Sequence, residues 1–127
     1  MDNKQLGLQF EKELKSTLKD NGLIVLNLGY NELGDIVVLN GKARIIECKV
    51  SHKPRFYKSK NPKQSLRLKE LYAKNISVYY AIKFIKKHKS TIKFFIIKDD
   101  DPVALDMNEG YSLDEFLNHV KEVMKND

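Results

Sequence analysis

Apolar residues recur every four positions at the start of the chain, at Leu6, Phe10, Leu14 and Leu18, with Lys4, Lys12, Lys15 and Lys19 among the polar positions. That spacing lays one apolar stripe along a helix over residues 3–21, with Asp2 or Asn3 as N-cap and Asn21-Gly22 as the stop. Leu23 to Leu28 then predicts a short strand, Gly29-Tyr30-Asn31-Glu32 a turn, and Gly34 to Lys49 (GDIVVLNGKARIIECK) two further strands meeting at Asn40-Gly41. Residues 51–63 carry Lys53, Arg55, Lys58, Lys60 and Lys63 interleaved with Phe56 and Tyr57, with no acid, and predict a loop. Asn61-Pro62 opens a second helix that ends near Asn75, with Leu68, Leu71 and Tyr72 as its stripe. Residues 76–86 and 91–98 predict an antiparallel hairpin about Lys87 to Ser90, with one member each of Tyr79-Tyr80 and Phe94-Phe95 buried. Residues 99–110 predict a loop, and Ser112 with Glu115 forms a capping box that starts the last helix.

Composition narrows this picture. With 127 residues, 42% of them apolar, the chain fits one domain, residues 1–127. A formal net charge of +6 favours an acidic polymer as partner, nucleic acid first. The single cysteine, the absence of an apolar run of membrane length and a first segment unlike a signal peptide predict an intracellular, cytoplasmic protein with no membrane partner. No glycine-rich phosphate loop is present, and no small-molecule cofactor is expected.

The stretch from Gly34 to Lys49 contradicts its own surroundings. Both runs are β-branched and apolar, yet Asp35, Glu47 and Lys49 stand where burial penalises charge. Such conflicts mark sites. A two-residue loop at Asn40-Gly41 would set Asp35 opposite Ile46 and turn its carboxylate away from Glu47. A three-residue loop, Asn40-Gly41-Lys42, or a bulge sets Asp35 opposite Glu47 on one face, with Lys49 two residues further on that face. The longer loop or a bulge is therefore expected.

Two carboxylates on neighbouring strands suit a hard divalent cation such as Mg²⁺, with Mn²⁺ able to substitute. Bound metal can activate water against a phosphodiester, and a lysine beside the metal-binding glutamate can stabilise the charge that develops. Cys48 alternates away from Glu47 and Lys49 and reads as a core thiol. Glu11 has the spacing to pair with Lys15 on a solvated helix face. The basic segment 51–63 offers phosphate contacts and, through Phe56 and Tyr57, stacking.

The order of elements, with Asp35 on one strand and Glu47-Cys48-Lys49 on the next, resembles the PD-(D/E)xK nuclease superfamily. Within it the chain resembles the archaeal-type Holliday junction resolvases, which also occur in archaeal viruses. Gly7 followed by Phe10-Glu11-Lys12-Glu13-Leu14 is similar to that family's opening motif, and residues 34–50 are similar to its catalytic hairpin. Ala81-Ile82-Lys83-Phe84 and Gly110-Tyr111-Ser112-Leu113 fall in the family's order. The resemblance implies an α/β restriction-endonuclease-like fold, a central mixed β-sheet flanked by helices in the order α-β-β-β-α-β-β-α. It implies a metal-dependent, structure-selective endonuclease that makes paired nicks in four-way junctions as a homodimer.

Carried over by position, the resemblance makes Asp35, Glu47 and the Cys48 backbone carbonyl metal ligands, adds Glu11 to the acidic cluster and makes Lys49 the catalytic lysine. Lys12 stands where the family commonly has arginine, and Lys83 resembles a lysine near the DNA surface. Two departures stand out. Tyr30-Asn31-Glu32 occupies the place of a family serine, and Gly34 that of a proline or valine. The alternative functions are a nuclease of flaps, ends or single strands and a junction-binding module without catalysis. In a virus the place of action would be the host cytoplasm.

Overall fold

The computed structural model describes residues 2–27, 35–58, 62–98 and 102–125. Asp2 caps α1 (Asn3–Asp20) in a capping box, its carboxylate accepting from the Gln5 amide at 2.8 Å while the Gln5 side chain accepts from the Asp2 amide at 3.0 Å. Phe10, Leu14 and Leu18 are buried, each contributing roughly 1.5–3 kcal/mol by leaving water. Gly22, at φ 84°, turns the chain out of the helix.

Six strands then build the main sheet: β1 (Val25–Asn27), β2 (Ile36–Val38), β3 (Arg44–Ser51), β5 (Ser77–Lys86), β6 (Lys89–Ile97) and β8 (Tyr111–Ser112), in that order across it. The β3–β5 pair is parallel and the others antiparallel, so the sheet is mixed. Between β3 and β5 the chain passes through β4 (Arg55–Tyr57) and α2 (Pro62–Ala73), which gives the parallel pair its crossover. The short strand β7 (Ala104–Asp106) pairs with β4, and α3 (Leu113–Lys125) closes the chain.

One face of the sheet packs on α1 and α3, where Ile46, Cys48, Tyr79 and Phe94 meet Phe10 and Phe116, and the Phe94 and Phe116 rings stack at 4.3 Å. The other face packs Val78, Tyr80, Ile82 and Phe95 on Leu68 of α2 and Leu105 of β7. Both faces being covered, all four of Tyr79, Tyr80, Phe94 and Phe95 are buried, which corrects the expectation of one from each pair. Tyr72 lies outside the stripe of α2, at 52% exposure.

The expected element order gains three strands. Residues expected as loops form β4 and β7, and the residues just before the last helix form β8, because two- and three-residue strands are too short to show a period and β4 finds its partner some fifty positions away. The β5–β6 turn shrinks to Lys87-His88, with Lys87 at φ 55°. Gly110 is required where it stands: at φ 78°, an added Cβ would lie 2.8 Å from both the Phe94 carbonyl oxygen and the Phe95 ring.

Candidate active site and nucleic-acid interface

The β2–β3 hairpin pairs Ile36 with Ile46, Val37 with Ile45 and Val38 with Arg44. Continued toward the turn, that register sets Leu39 against Ala43 around the loop Asn40-Gly41-Lys42; the regular pairing ends at Ile36, just after Asp35. The longer loop expected from the sequence is the one adopted. Gly41 takes φ 75° at its tip.

Two buried polar side chains hold this loop. Asn40 Oδ1 accepts from the Ile24 amide at 2.7 Å, tying the loop to β1. Arg44 is wholly buried and donates from Nη1 to the Asn40 carbonyl at 2.7 Å and the Lys42 carbonyl at 3.3 Å. Its Nε and Nη2 have no partner among the described residues. A guanidinium placed at such cost is a strong constraint on loop geometry.

At the other end of the hairpin the Asp35 amide donates to the Ile46 carbonyl at 3.0 Å, and Asp35 Oδ2 accepts from the Cys48 amide at 2.8 Å. The carboxylate thus occupies the edge of β3 just beyond the end of β2. Because the amide and carbonyl of one strand residue point to the same side, the Cys48 carbonyl emerges on this edge as well. Glu47 and Lys49 lie on the sheet face opposite Cys48, their charges 3.0 Å apart at Glu47 Oε1. Lys49 Nζ also sits 6.0 Å from the centre of the Tyr80 ring. Glu47 Oε2 is buried without a hydrogen-bond partner among the described residues.

Glu11 approaches from α1. Burial first, and the nearby Asp35 carboxylate second, push its pKa up, while Lys15 at 3.9 Å opposes the shift. The Cys48 thiol is driven far above its ordinary range, by burial first and then by Asp35, Glu11 and Glu47, which makes it the inert core thiol expected. Among the described residues no three Asp, Glu, His or Cys side chains lie close enough together to hold a metal ion. A cation here would have to find its donors among the Asp35 and Glu47 carboxylates, both of which act on the Cys48 thiol, and backbone carbonyls. The unsatisfied Glu47 oxygen fits such an ion, since a buried carboxylate oxygen without a donor calls for a cation.

The predicted DNA contacts divide. Lys12, Lys53, Lys63 and Tyr57 are exposed, and Arg55, also exposed, holds Asp106 at 3.0 Å. Phe56 is half-buried, edge-on to Tyr80 at 6.2 Å, and Lys58 is buried, so neither is free to stack or reach out as expected. Both changes follow from β4, whose pairing with β7 turns Phe56 inward. Lys83 points toward α1 and pairs with Glu13 at 3.2 Å. Lys60, with Tyr30-Asn31-Glu32 and Gly34, lies outside the described residues. Tyr80 is a neighbour of the site that sequence reasoning missed; the parallel register of Glu47 with Tyr80 brings it there, and no local motif signals it.

The comparisons with known proteins bear on the family and the fold. No curated protein sequence matches the chain. A solved structure of Archaeoglobus fulgidus Hjc, a Holliday junction resolvase from an archaeal hyperthermophile, superposes with a TM-score of 0.66 at 20% identity, over 88% of this chain and 95% of that one. That likeness carries the fold. The family model described as archaeal Holliday junction resolvase (Hjc) matches residues 2–125. The chain belongs to the archaeal Holliday junction resolvase family, nucleases that bind branched DNA and hydrolyse its phosphodiester bonds.

Proposed function

We propose that the chain resolves four-way DNA junctions by Mg²⁺-dependent hydrolysis, with Asp35 and Glu47 as ligands, the Cys48 carbonyl as a third donor and Glu11 as a supporting acid. Mn²⁺ would serve in place of Mg²⁺. The observation that carries this reading is the state of Glu47: one oxygen is held by Lys49, and the other is buried with no hydrogen-bond partner among the described residues, while Asp35 and Glu47 both act on the Cys48 thiol between them. A bound Mg²⁺ would lower the pKa of a coordinated water and offset charge on the scissile phosphate.

The protein's own groups do the rest. The Cys48 amide fixes the Asp35 carboxylate through a charge-assisted hydrogen bond, so this donor is set before substrate arrives. Lys49, anchored on Glu47 Oε1, can donate a proton-bearing corner of its ammonium to a phosphate oxygen as negative charge grows there. Lys12, Lys53, Arg55 and Lys63 offer cations to the DNA backbone, and Tyr57 an exposed ring.

A homodimer would present two such sites to strands of like polarity in a two-fold symmetric junction and so produce paired nicks, inside the cell. In support, α2 exposes Leu66 and Tyr72, 62% and 52% accessible, which a partner chain could cover. The test is incubation with Mg²⁺ and an end-labelled mobile four-way junction. Symmetric nicks that vanish in Asp35→Ala and Glu47→Ala support the reading; intact junctions under both Mg²⁺ and Mn²⁺ reject it.

A further inference from the structure

Beyond the catalytic edge, the turn between β3 and β4 and the turn between β5 and β6 enclose a cleft of about 850 Å³. The exposed side chains Lys53, Lys86, Lys87 and Lys89 line it, and its apolar lining includes half-buried Met107 and the edge of the buried Phe84, which form its floor. No acidic side chain lines it among the described residues. None of the four ammonium groups lies within 4.0 Å of a carboxylate among those residues. Lys87 is held at positive φ by the two-residue turn, which presents three consecutive cationic or imidazole side chains, Lys86, Lys87 and His88, at one end of the molecule.

We infer that this cleft takes an unpaired strand of DNA, phosphates on the lysine rim and one base against the apolar floor. The inference rests on the resolvase reading and specifies the form of its substrate. A cationic rim alone would suit any phosphate, but the concavity discriminates. Its volume is that of a pocket for a small organic ligand, which a nucleotide can fill and a duplex cannot enter. An apolar floor beneath cations is the arrangement that single-strand binding uses, with sequence-tolerant base contacts and backbone neutralisation.

Position relative to the site adds a second constraint. Glu47 pairs with Tyr80 and Ser51 with Phe84, so the floor lies four residues further along the parallel pair. At about 3.3 Å per residue that is roughly 13 Å from Glu47, or about four base-pair steps of duplex at 3.4 Å each. A substrate seated in both places must be frayed within about that distance of the cut, as DNA is next to a branch point. The cleft would thereby favour open junction centres and flaps over continuous duplex.

The test is fluorescence anisotropy of a labelled single-stranded 12-mer and of the matching blunt duplex, in Ca²⁺ to suppress cleavage, across a salt series. Lys86→Ala combined with Lys89→Ala is compared with Lys4→Ala combined with Lys19→Ala, which removes the same charge from α1. The cleft variant is expected to bind the single strand about tenfold more weakly, with a slope of log affinity against log salt shallower by about 1.4 for two lost contacts at 0.7 each. Duplex binding and the α1 variant should change little. Equal weakening on duplex and single strand, equal weakening by the α1 variant, or no single-strand binding by the unsubstituted protein would each overturn the inference. Nicking of the four-way junction by unsubstituted protein in Mg²⁺ reads the resolvase function separately, so failure of one is distinguishable from failure of the other.

Discussion

Successive residues of β3 belong to two different worlds. Arg44, Ile46 and Cys48 are buried against α1 and α3, whereas Ile45, Glu47 and Lys49 face the other side and are only partly covered. The first row has an aromatic and aliphatic cover over Ile46 and Cys48; the other row faces α2 and the small β4–β7 ribbon, which leave Ile45, Glu47 and Lys49 only partly covered before Ser51 is buried again. A strand delivers this division automatically because its side chains alternate. The packed row fixes where the backbone runs, and the open row can then spend charged groups on chemistry. If that division is right, substitutions in the two rows must fail in different ways.

The largest effect is expected in the packed row. Ile46 has no exposed surface and packs beside Tyr79, its partner on β5, so Ile46→Ala should cost about 2–5 kcal/mol through lost transfer energy and the cavity left behind. Urea unfolding measures this, and nicking should fall only as the folded fraction falls. In the open row Lys49→Met should slow single-turnover nicking by about 10²–10³-fold, the loss typical when one charge-stabilising donor is removed. Its stability should shift by under about 1 kcal/mol, because the Lys49–Glu47 pair is partly exposed. A Lys49 variant destabilised as much as the Ile46 variant would collapse the distinction.

Cys48 tests the boundary itself, since it sits between Glu47 and Lys49 in sequence and across the sheet from them in space. Its buried, strongly disfavoured thiolate predicts no reaction with a thiol reagent at pH 8 until the protein unfolds. Cys48→Ala should keep nicking, because only its backbone reaches the strand edge. Rapid labelling of the native protein would mean that the packed row opens as readily as the other.

How much of this could be read from the chain depends on range. The site hairpin was legible because the conflict between apolar strands and Asp35, Glu47 and Lys49 is local, and counting across Asn40-Gly41-Lys42 decides the register. The device that fixes the loop was not. Arg44 carries no local signal of burial, and only the folded structure shows a buried guanidinium bonded to two loop carbonyls. The β4–β7 ribbon was equally hidden, being three residues on each side with the acid that balances Arg55 supplied by Asp106 from the distant strand. Burial of both members of the Tyr79-Tyr80 and Phe94-Phe95 pairs also depends on that ribbon and on α2, which cover the opposite face.

The smallest expected effect concerns this ribbon, the cover of the open row. The Asn108 amide first, and Arg55 second, hold the Asp106 carboxyl below its ordinary pKa. A carboxylate whose folded-state pKa is depressed contributes stability above its unfolded value and loses that contribution as the pH falls through the folded one. Acidification below about pH 4, the ordinary aspartate range, should therefore loosen the ribbon while the packed row holds. Hydrogen exchange at the Lys58 amide, bonded to the Val103 carbonyl at 2.8 Å beside the ribbon, reports this locally. Asp106→Asn should show faster Lys58 exchange already at neutral pH and a flatter acid response. If the variant kept the acid response, Asp106 would not be its source. If Lys58 and the amides of the packed row instead exchanged together at every pH, the ribbon and core would open as one unit, and the open row would owe its accessibility to the strand edge alone.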